Sequence, residues 1–509
     1  MNCKFKSGRF LIPLLFCIIV ISLMCTRSQA PKGPFTPDWQ SLAQHNPAPD
    51  WFRDAKFGIY FHWGVYSVPA FANEWYPRNM YDKNSREYQH HIETYGDPSQ
   101  FGYPDFVPQF EAENFNAEEW ANLFAIAGAR FAGPVAEHHD GFSMWNSNLT
   151  PWNAAEKGPK RDITGELANA LRVRGLKLIT TFHHARNNLW EKEGNWTGHY
   201  SFVKKNFPAL LEEPEQAIMY GYMPREKFLK MWKKKLEEVI DKYQPDIMWF
   251  DSWLDEIPDS VKTEYLAWYF NRAHEWDKEV VVTYKQEDLP QNVGVLDLEK
   301  GRMGDLTPFP WLTDDTISKG SWCYTQNLEI KPVSTVLHSL IDIVSKNGVL
   351  LLNISPKADG TIPQEQQDVL YQMGGWLKTY GESIYGTRPW VTYGEGPTQL
   401  KAGHFGGFTD AGRYTAQDIR YTTKGDTIYA IFLGWPGAER KVTLSAFSKD
   451  NLPAGLEITD VSLLTYMEKI QWQLEDTGLI IRTPDMEPID LAFPFKIVTQ
   501  HVEYASVEY

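Results

Sequence analysis

The segment Ile247-Met248-Trp249-Phe250-Asp251 places four apolar residues directly before a carboxylate. It is one of eight short β-prone runs that alternate with longer helical patterns in the first two thirds of the chain. Strands that alternate with helices predict parallel pairing, and eight such units predict an α/β fold with a closed (β/α)8 barrel of the TIM type. The candidate strands are residues 57–63, 131–138, 177–183, 247–251, 280–285, 293–298, 321–325 and 349–354.

Several of the intervening helices carry clear signals. Asn116, with Glu119 three residues later, forms a capping box at the start of one helix. A helix that follows Pro332 ends at Asn347-Gly348. The connections around the fifth to seventh strands lack long helical patterns, so we expect an irregular barrel on that side. The apolar residues of another helix repeat at helical spacing: Phe228, Trp232, Leu236 and Val239.

The character of the chain changes after Trp390. Helical periodicity disappears, and alternating segments are separated by turn signals such as Lys424-Gly425-Asp426. This pattern predicts an antiparallel β-sandwich. We therefore divide the chain into a leader (residues 1–30), a barrel domain (31–390) and a β-sandwich domain (391–509). The alternating segments are residues 427–432, 442–444, 479–482 and 495–500.

Residues 1–30 have the pattern of an export signal. Basic residues precede an apolar run, residues 10–24, which is shorter than the roughly 20 residues that span a bilayer. Cleavage near Ala30 is one expected outcome. The other is lipidation of Cys25, because Ser22-Leu23-Met24-Cys25 resembles a bacterial lipoprotein box. We expect an exported protein, either a periplasmic or outer-membrane lipoprotein anchored through Cys25 or a secreted protein.

The charge of the chain argues against nucleic-acid binding. Its formal net charge is −15, and it has no basic stripe that could neutralise phosphates. The longest basic cluster, residues 230–235, lies on a predicted amphipathic helix and is interpreted as a solvated face. Many of the 20 tryptophans are expected in the core, but their flat faces are also of the kind that carbohydrate sites use.

Polar and aromatic residues follow most of the predicted strands. In a (β/α)8 barrel the active site lies at the carboxyl ends of the strands, so these side chains converge on one rim. Buried strands do not usually end this way, and we predict a functional site at this rim. The residues are His62, Trp63, Glu137, His138, His139, Asp140, His183, His184, Asp251, Asp297, Glu299 and Trp322.

Asp251 would stand at the barrel mouth, either as a loop or N-cap residue or as a catalytic carboxylate. Glycosidic cleavage needs two carboxyl groups, one to attack the anomeric carbon and one to protonate the leaving oxygen. Glu299, at the end of the sixth strand, is the candidate for the second group. Glu287 and Asp297 remain its rivals.

The histidines are candidates for hydrogen bonding rather than for metal binding. His138 and His139 are adjacent, so on a strand they would point in opposite directions, which is poor geometry for one metal ion. The first strand offers only His62. We therefore expect no metal ion at these histidines. We assign these residues and His183 to sugar hydroxyls, because imidazole can both donate and accept hydrogen bonds.

The order and spacing of several motifs resemble the α-L-fucosidases, family twenty-nine of the glycoside hydrolases. The resemblance covers about residues 34–390. The motifs are Lys56-Phe57-Gly58-Ile59-Tyr60-Phe61-His62-Trp63-Gly64, Asn73-Glu74-Trp75-Tyr76, Glu137-His138-His139-Asp140-Gly141-Phe142, Lys160-Arg161-Asp162, Trp249-Phe250-Asp251, Asp342-Ile343-Val344-Ser345-Lys346-Asn347-Gly348, Pro356-Lys357-Ala358-Asp359-Gly360-Thr361-Ile362-Pro363 and Ile384-Tyr385-Gly386-Thr387-Arg388.

The resemblance implies exo-acting hydrolysis of terminal α-L-fucose from oligosaccharides or glycoconjugates, with retention and without a cofactor. By motif match Asp251 is the nucleophile, and the segment Asp297-Leu298-Glu299-Lys300-Gly301 favours Glu299 as the general acid. The Asn-Asp-Arg-Trp segment of many members is replaced by Thr283-Tyr284-Lys285-Gln286-Glu287. The residues that would surround the fucose are His62, Glu74, Trp75, His138, His139 and Trp322.

Two other functions stay open on the sequence. One is a non-catalytic glycan-binding protein on the same barrel, against which the intact Asp251 argues. The other is an exo-glycosidase for a related sugar such as galactose, against which the pocket motifs argue. Linkage preference depends on loops that the motifs do not cover.

Overall fold

The structure is a computed structural model that describes residues 30–404, 414–486, 488 and 490–501. The predicted leader up to residue 29, including Cys25, lies outside the described residues. Within the described ranges, no helix combines the length and the apolar character that crossing a bilayer requires.

Helices and strands follow one another from residue 39 to residue 354, and mainly strands follow after residue 387. The helices are α1 (Trp39–Leu42), α2 (Asp50–Ala55), α3 (Tyr76–Asn79), α4 (Arg86–Thr94), α5 (Ala117–Ile126), α6 (Ile163–Val173), α7 (Ser201–Asn206), α8 (Pro214–Met219), α9 (Arg225–Tyr243), α10 (Asp259–Glu275), α11 (Val333–Ser345) and α12 (Gln364–Tyr380). The strands are β1 (Phe57–Phe61), β2 (Phe131–Glu137), β3 (Lys177–Phe182), β4 (Trp190–Lys192), β5 (Asn195–Thr197), β6 (Ile247–Phe250), β7 (Val281–Lys285), β8 (Val295–Asp297), β9 (Trp311–Thr316), β10 (Gly348–Ile354), β11 (Arg388–Glu395), β12 (Ile419–Lys424), β13 (Thr427–Phe432), β14 (Lys441–Leu444), β15 (Leu456–Leu463), β16 (Gln471–Glu475), β17 (Gly478–Arg482) and β18 (Phe493–His501).

Eight parallel strands close into a barrel in the order β1-β10-β9-β8-β7-β6-β3-β2, which confirms the predicted fold. Large side chains such as Phe131 and Trp249 fill its interior. Gly58 on β1 makes room for one of them, because a Cβ at that position would lie 2.1 Å from the Phe131 ring. The helices cover the outside, and the predicted apolar face of α9, including Phe228 and Trp232, is buried.

The predicted N-cap and helix end are confirmed, but the predicted capping box is not complete, because Glu119 accepts from the side-chain amide of Asn116 at 2.9 Å and not from its backbone N–H. The Asn116 side chain accepts hydrogen bonds from the N–H groups of Glu118 and Glu119, which caps α5. Asn347 stops α11 in a left-handed conformation, with φ of 72°. No α-helix forms between α10 and α11, so the barrel is irregular on the side where the sequence lacked helical patterns.

The seventh strand was wrongly predicted at residues 321–325. The barrel uses β9 instead, whose last residues Asp314, Asp315 and Thr316 are polar and yet buried. Ion pairs stabilise them there, as between Asp315 and Lys331 at 3.0 Å. A search for apolar runs overlooks such a strand. Residues 321–325 form a loop that makes one isolated bridge, between Cys323 and His62.

The C-terminal segments form the predicted antiparallel sheets. One has the order β11-β12-β13-β18-β15, and the other has the order β14-β17-β16. Apolar side chains from both sheets, including Phe432, Phe495, Leu444 and Ile481, share one core, as expected of a sandwich.

One buried carboxylate joins the barrel to the C-terminal sheets. The oxygens of Asp342, on α11, lie 3.4 Å from Arg302 Nη1, 3.0 Å from Lys346 Nζ and 2.6 Å from Arg420 Nε. Arg302 follows β8 of the barrel, whereas Arg420 belongs to β12 of the larger C-terminal sheet. All four side chains are at least nine-tenths buried, so each charge depends on the others for compensation.

Asp342→Asn should lower the free energy of unfolding by about 3–5 kcal/mol, because it leaves three buried cations without their counter-charge. Chemical denaturation at pH 7 measures the change. The matched control is Asp50→Asn, which removes an 80 % exposed carboxylate from ion pairs with Arg53 and Arg388 and should cost no more than about 1 kcal/mol. Equal stabilities of the two variants would contradict the assignment.

The same carboxylate should make stability depend on pH. Burial alone raises the pKa of Asp342, but Lys346, Arg420 and Arg302 together lower it to about 2. The folded pKa thus lies below the unfolded value of about 3.9, so the stabilisation is complete above pH ~4 and is lost as the pH falls toward 2. Asp342→Asn should lack this part of the acid dependence in denaturation measured from pH 7 to pH 2.

Candidate functional site

A cavity of about 590 Å³ opens at the carboxyl ends of the barrel strands. The side chains that were assigned to catalysis and ligand binding all line this cavity. These side chains are His62, Glu74, Trp75, His138, His139, His183, Asp251, Glu299 and Trp322. The strand-end pattern also placed five other residues at the rim, and these are buried and do not line it: Trp63, Glu137, Asp140, His184 and Asp297.

The ammonium of Lys285, the last residue of β7, lies among four carboxyl groups. Its Nζ is 2.7 Å from Glu299, 3.2 Å from Asp251, 3.4 Å from Asp314 and 4.0 Å from Asp297. The lysine side chain is only 2 % exposed. Burial alone lowers its pKa, but the surrounding carboxylates raise it well above the usual value, so Lys285 is a cation.

Asp251 follows β6, and its backbone N–H donates to the carbonyl of Phe182 on β3 at 3.1 Å. Its two carboxylate oxygens face different groups, with Oδ1 toward Lys285 and Oδ2 3.3 Å from His139 Nε2. Burial raises the pKa of Asp251, but the charge of Lys285 and the contact with His139 outweigh it and hold the pKa well below the usual value. Asp251 is therefore ionised.

Glu299 lies two residues after β8 and faces the same ammonium from another side. Its backbone N–H donates to His404 Nδ1 at 3.2 Å, so a residue that follows β11 contacts the loop that carries it. Burial raises the pKa of Glu299 to about 7; Lys285 opposes this rise, and Asp314 and Asp251 add to it. One cavity thus holds an ionised carboxylate and a carboxyl group that is protonated below about pH 7.

The rivals of Glu299 lie outside this cavity. Asp297 is fully buried within the barrel, where its oxygens accept from Trp249 Nε1 and from the N–H of Asp314, both at 3.0 Å. Glu287 is exposed and lines a separate depression that includes Trp39.

The histidines form a neutral wall of the cavity. Burial lowers the pKa of His62 to about 4 and holds those of His138 and His183 well below the usual value. His62 Nδ1 donates to Asn353 Oδ1 at 2.8 Å, which leaves Nε2 as an acceptor. Neutral imidazoles of this kind can pair with hydroxyl groups without adding charge.

Three of these rings are also close enough to suggest a metal ligand set. His62, His138 and His183 each place one nitrogen within 4.8 Å of the others. Zinc can accept three imidazoles as ligands. The expectation that no metal binds stays a prediction.

Aromatic and acidic side chains form the remaining walls. The backbone N–H of Trp322 donates to Glu74 Oε2 at 3.1 Å, and this hydrogen bond connects the loop after β9 to the loop after β1. The Trp75 ring lies beside His139, with ring centroids 5.4 Å apart. Burial raises the pKa of Glu74.

Sequence reasoning missed several residues that line the cavity, above all Lys285, Asp314 and Trp253. Lys285 had a usable signal, because it ends a buried strand as Asp251 does. Asp314 had none, because its strand was not recognised. Trp253 was missed because its backbone is left-handed, with φ of 88°, and no local sequence pattern predicts that conformation.

Comparison with known proteins gives two family matches. The sequence model described as α-L-fucosidase matches residues 22–382, and that described as α-L-fucosidase C-terminal domain matches residues 413–498. Tissue α-L-fucosidase of *Macaca fascicularis* is 32 % identical over 499 residues, which cover 95 % of this chain and 94 % of that protein. The human tissue α-L-fucosidase is 32 % identical over 491 residues, which cover 93 % of each chain.

Solved structures give the same result. The crystal structure of *Thermotoga maritima* α-fucosidase in complex with fucose aligns with a TM-score of 0.70 and 30 % identity, covering 90 % of this chain and 99 % of that one. Its complex with a mechanism-based inhibitor aligns with a TM-score of 0.71 and 30 % identity, covering 91 % of this chain and all of the other. The chain therefore belongs to the α-L-fucosidase family of glycoside hydrolases.

Proposed function

We propose that the protein is an exo-acting α-L-fucosidase that releases terminal fucose from glycans with retention of configuration. The observation that carries the proposal is the pair Asp251 and Glu299, which share the ammonium of Lys285 and have opposite protonation states. A fucose complex and a complex with a mechanism-based inhibitor of the *Thermotoga maritima* enzyme support the choice of sugar and of chemistry.

The spacing of the two carboxyl groups supports retention. Because Asp251 and Glu299 contact the same nitrogen at 3.2 Å and 2.7 Å, their facing oxygens lie no more than about 6 Å apart, nearer to the spacing of retaining glycosidases than to that of inverting ones. In the first step Asp251 attacks C1 of fucose and displaces the leaving oxygen, which takes the proton of Glu299. In the second step Glu299 removes a proton from water as the water cleaves the glycosyl ester.

The rest of the cavity fits a neutral deoxysugar. His62, His138 and His183 would pair with hydroxyl groups, and Trp322 would cover the apolar methyl side of the ring. Both nitrogens of His139 already face protein oxygens, of Asp251 and of the His183 carbonyl, so His139 would position Asp251 beside the sugar. Trp75 and Glu74 would complete the enclosure. Because the imidazoles are uncharged, the electrostatic field at the anomeric carbon comes mainly from Lys285 and the carboxyl groups around it.

Export belongs to the same proposal, with either cleavage near Ala30 or a lipid anchor at Cys25. It rests on the sequence pattern of residues 1–30 alone.

Asp251→Gly should reduce the hydrolysis of an aryl α-L-fucoside by roughly 10⁴-fold or more, because the attacking oxygen is lost. Azide should restore turnover and yield a fucosyl azide of the opposite anomeric configuration, which product NMR identifies. Asp255→Gly, at an exposed carboxylate four residues away, is the matched control and should retain activity. Near wild-type hydrolysis by Asp251→Gly, or cleavage of aryl galactosides in preference to fucosides, would overturn the proposal.

Glu299→Gln should affect substrates according to their leaving group. A poor leaving group such as a sugar needs protonation, so kcat/KM on a disaccharide should fall by about 10²–10⁴-fold, whereas a good aryl leaving group should be far less affected in the first step. Glu287→Gln is the matched control and should change neither. Equal sensitivity of the two variants on the disaccharide would reject Glu299 as the acid.

The pH profile gives a further check on Glu299. Because this group must start protonated and its pKa is about 7, kcat/KM of the wild type on the disaccharide should fall as the pH rises through about 7. Glu299→Gln should lose this alkaline limb.

Lys285→Met should move that alkaline limb to higher pH, by about one unit or more, because removal of a neighbouring cation raises the pKa of a carboxyl group. Lys285→Arg, which keeps the charge, should move it less. The measurement is kcat/KM as a function of pH for both variants. An unchanged alkaline limb in Lys285→Met would show that the ammonium does not set the protonation of Glu299.

A further inference from the structure

A second, smaller cavity of about 260 Å³ adjoins the catalytic cavity. Trp253 lines both, so the two are neighbours across a single indole ring. The walls of the second cavity also include Arg186, Trp190, Arg225 and Glu256. Its lining residues take no part in the chemistry described above.

The guanidinium of Arg186 is held between two indole rings. Its central carbon lies 3.7 Å from the centroid of Trp253 and 5.1 Å from that of Trp75. Stacking on an indole stabilises the cation, but the N–H donors of a guanidinium lie in its own plane and point away from the rings. The two tryptophans therefore position Arg186 without satisfying its donors.

No hydrogen bond or ion pair of this guanidinium exists among the described residues. Two of its nitrogens, Nε and Nη1, are buried without a partner. Asp251 and Glu256 are the carboxylates close enough to raise the pKa of Arg186, but neither forms an ion pair with it. Asp251 instead pairs with Lys285, and Glu256 pairs with Lys192 at 2.7 Å. An unpartnered guanidinium at a cavity wall is costly and calls for a ligand.

The neighbouring arginines increase this local excess of positive charge. Arg225 donates to Asn188 Oδ1 at 2.7 Å and to the carbonyl of Glu256, and neither acceptor carries a charge. Arg78, which also stacks near Trp75, donates to Asn79 Oδ1. In the described part of the chain, none of these three arginines has a carboxylate within ion-pair distance.

The charge of Arg186 persists at neutral pH. Burial, followed by repulsion from Arg78, lowers its pKa to about 10, which still leaves it a cation. A neutral sugar hydroxyl could accept a hydrogen bond from this group but would not offset its charge. An anionic group would do both, and charge-assisted hydrogen bonds are about twice as strong as neutral ones.

We propose that the second cavity is a leaving-group subsite for an acidic saccharide, in which Arg186 pairs with a carboxylate or sulfate of the sugar next to fucose. The proposal rests on the fucosidase function proposed above, because it places the anion on the substrate of that reaction. It predicts that the enzyme prefers fucose attached to uronic acids or sulfated sugars over fucose attached to neutral sugars. Trp253 would serve both cavities as their common wall.

Ligand-observed NMR titration tests the subsite without relying on catalysis. The probes are galactose, galacturonate and galactose 6-sulfate, which differ at C6, each titrated in the presence of saturating L-fucose. The wild type should bind the better of the two anionic probes about tenfold more tightly than galactose. If galacturonate binds more tightly than galactose 6-sulfate, the anion is a carboxylate; if galactose 6-sulfate binds more tightly, it is a sulfate.

Two variants and one change of conditions separate the subsite from a general charge effect. Arg186→Gln should reduce the preference to near unity, whereas Arg186→Lys should keep part of it. Arg482→Gln removes a 43 % exposed arginine from β17 of the C-terminal sheets, which does not line the cavity, and should keep the preference. In the wild type the preference should shrink at high salt, which is informative even if Arg186→Gln fails to fold.

Kinetics on fucosyl-galactose and its C6-oxidised counterpart completes the test. The ratio of kcat/KM values, anionic to neutral, should exceed unity in the wild type and fall toward one in Arg186→Gln. Equal binding of charged and neutral probes by the wild type, or a preference unchanged in Arg186→Gln, would overturn this inference alone. Failure of the wild type to cleave any fucoside would instead overturn the proposed function, and the binding preference would still decide the subsite.

Discussion

Four carboxyl groups lie within 4.0 Å of the ammonium of Lys285 at the mouth of the barrel, and the protonation states in the site follow from these contacts. One buried cation cannot compensate four buried anions, so some of the groups must hold protons. The contacts of each carboxyl group decide whether it is protonated. Asp251, with a second contact to His139, is ionised, whereas burial and neighbouring anions raise the pKa of Asp297 and Glu299. The two protonation states that the proposed mechanism needs thus arise in similar carboxyl groups through their surroundings alone.

The C-terminal sheets also contribute to this arrangement. His404 accepts the N–H of Glu299, and the Gly403 N–H donates to the carbonyl of Arg302 at 2.9 Å. Arg302 in turn shares Asp342 with Arg420 of β12. The loop that carries Glu299 is therefore held between the barrel and the second domain. This contact connects the described part of the β-domain to the loop that carries Glu299.

The two sides of the cavity differ in kind. One side is a wall of buried, neutral histidines suited to hydroxyl groups, and the other is the charged cluster around Lys285. Beyond Trp253 the surroundings become positive, in a chain whose formal net charge is −15. This local excess of cations runs against the overall charge of the chain, and it is the basis of the anion preference that we propose for the second cavity.

The sequence by itself determined the barrel, the C-terminal sheets and the set of side chains at the strand ends. These depend on local patterns, namely apolar runs, helix caps and the residue that follows each strand, and such patterns can be read along the chain. The tertiary structure alone decided that β9 is a strand, that Glu299 rather than Glu287 or Asp297 faces the cavity, and that Lys285 lies at its centre. Each of these depends on contacts between residues of different strands. A buried Asp314 or Lys285 is stable only because opposite charges from distant segments reach it, and no local pattern records that compensation.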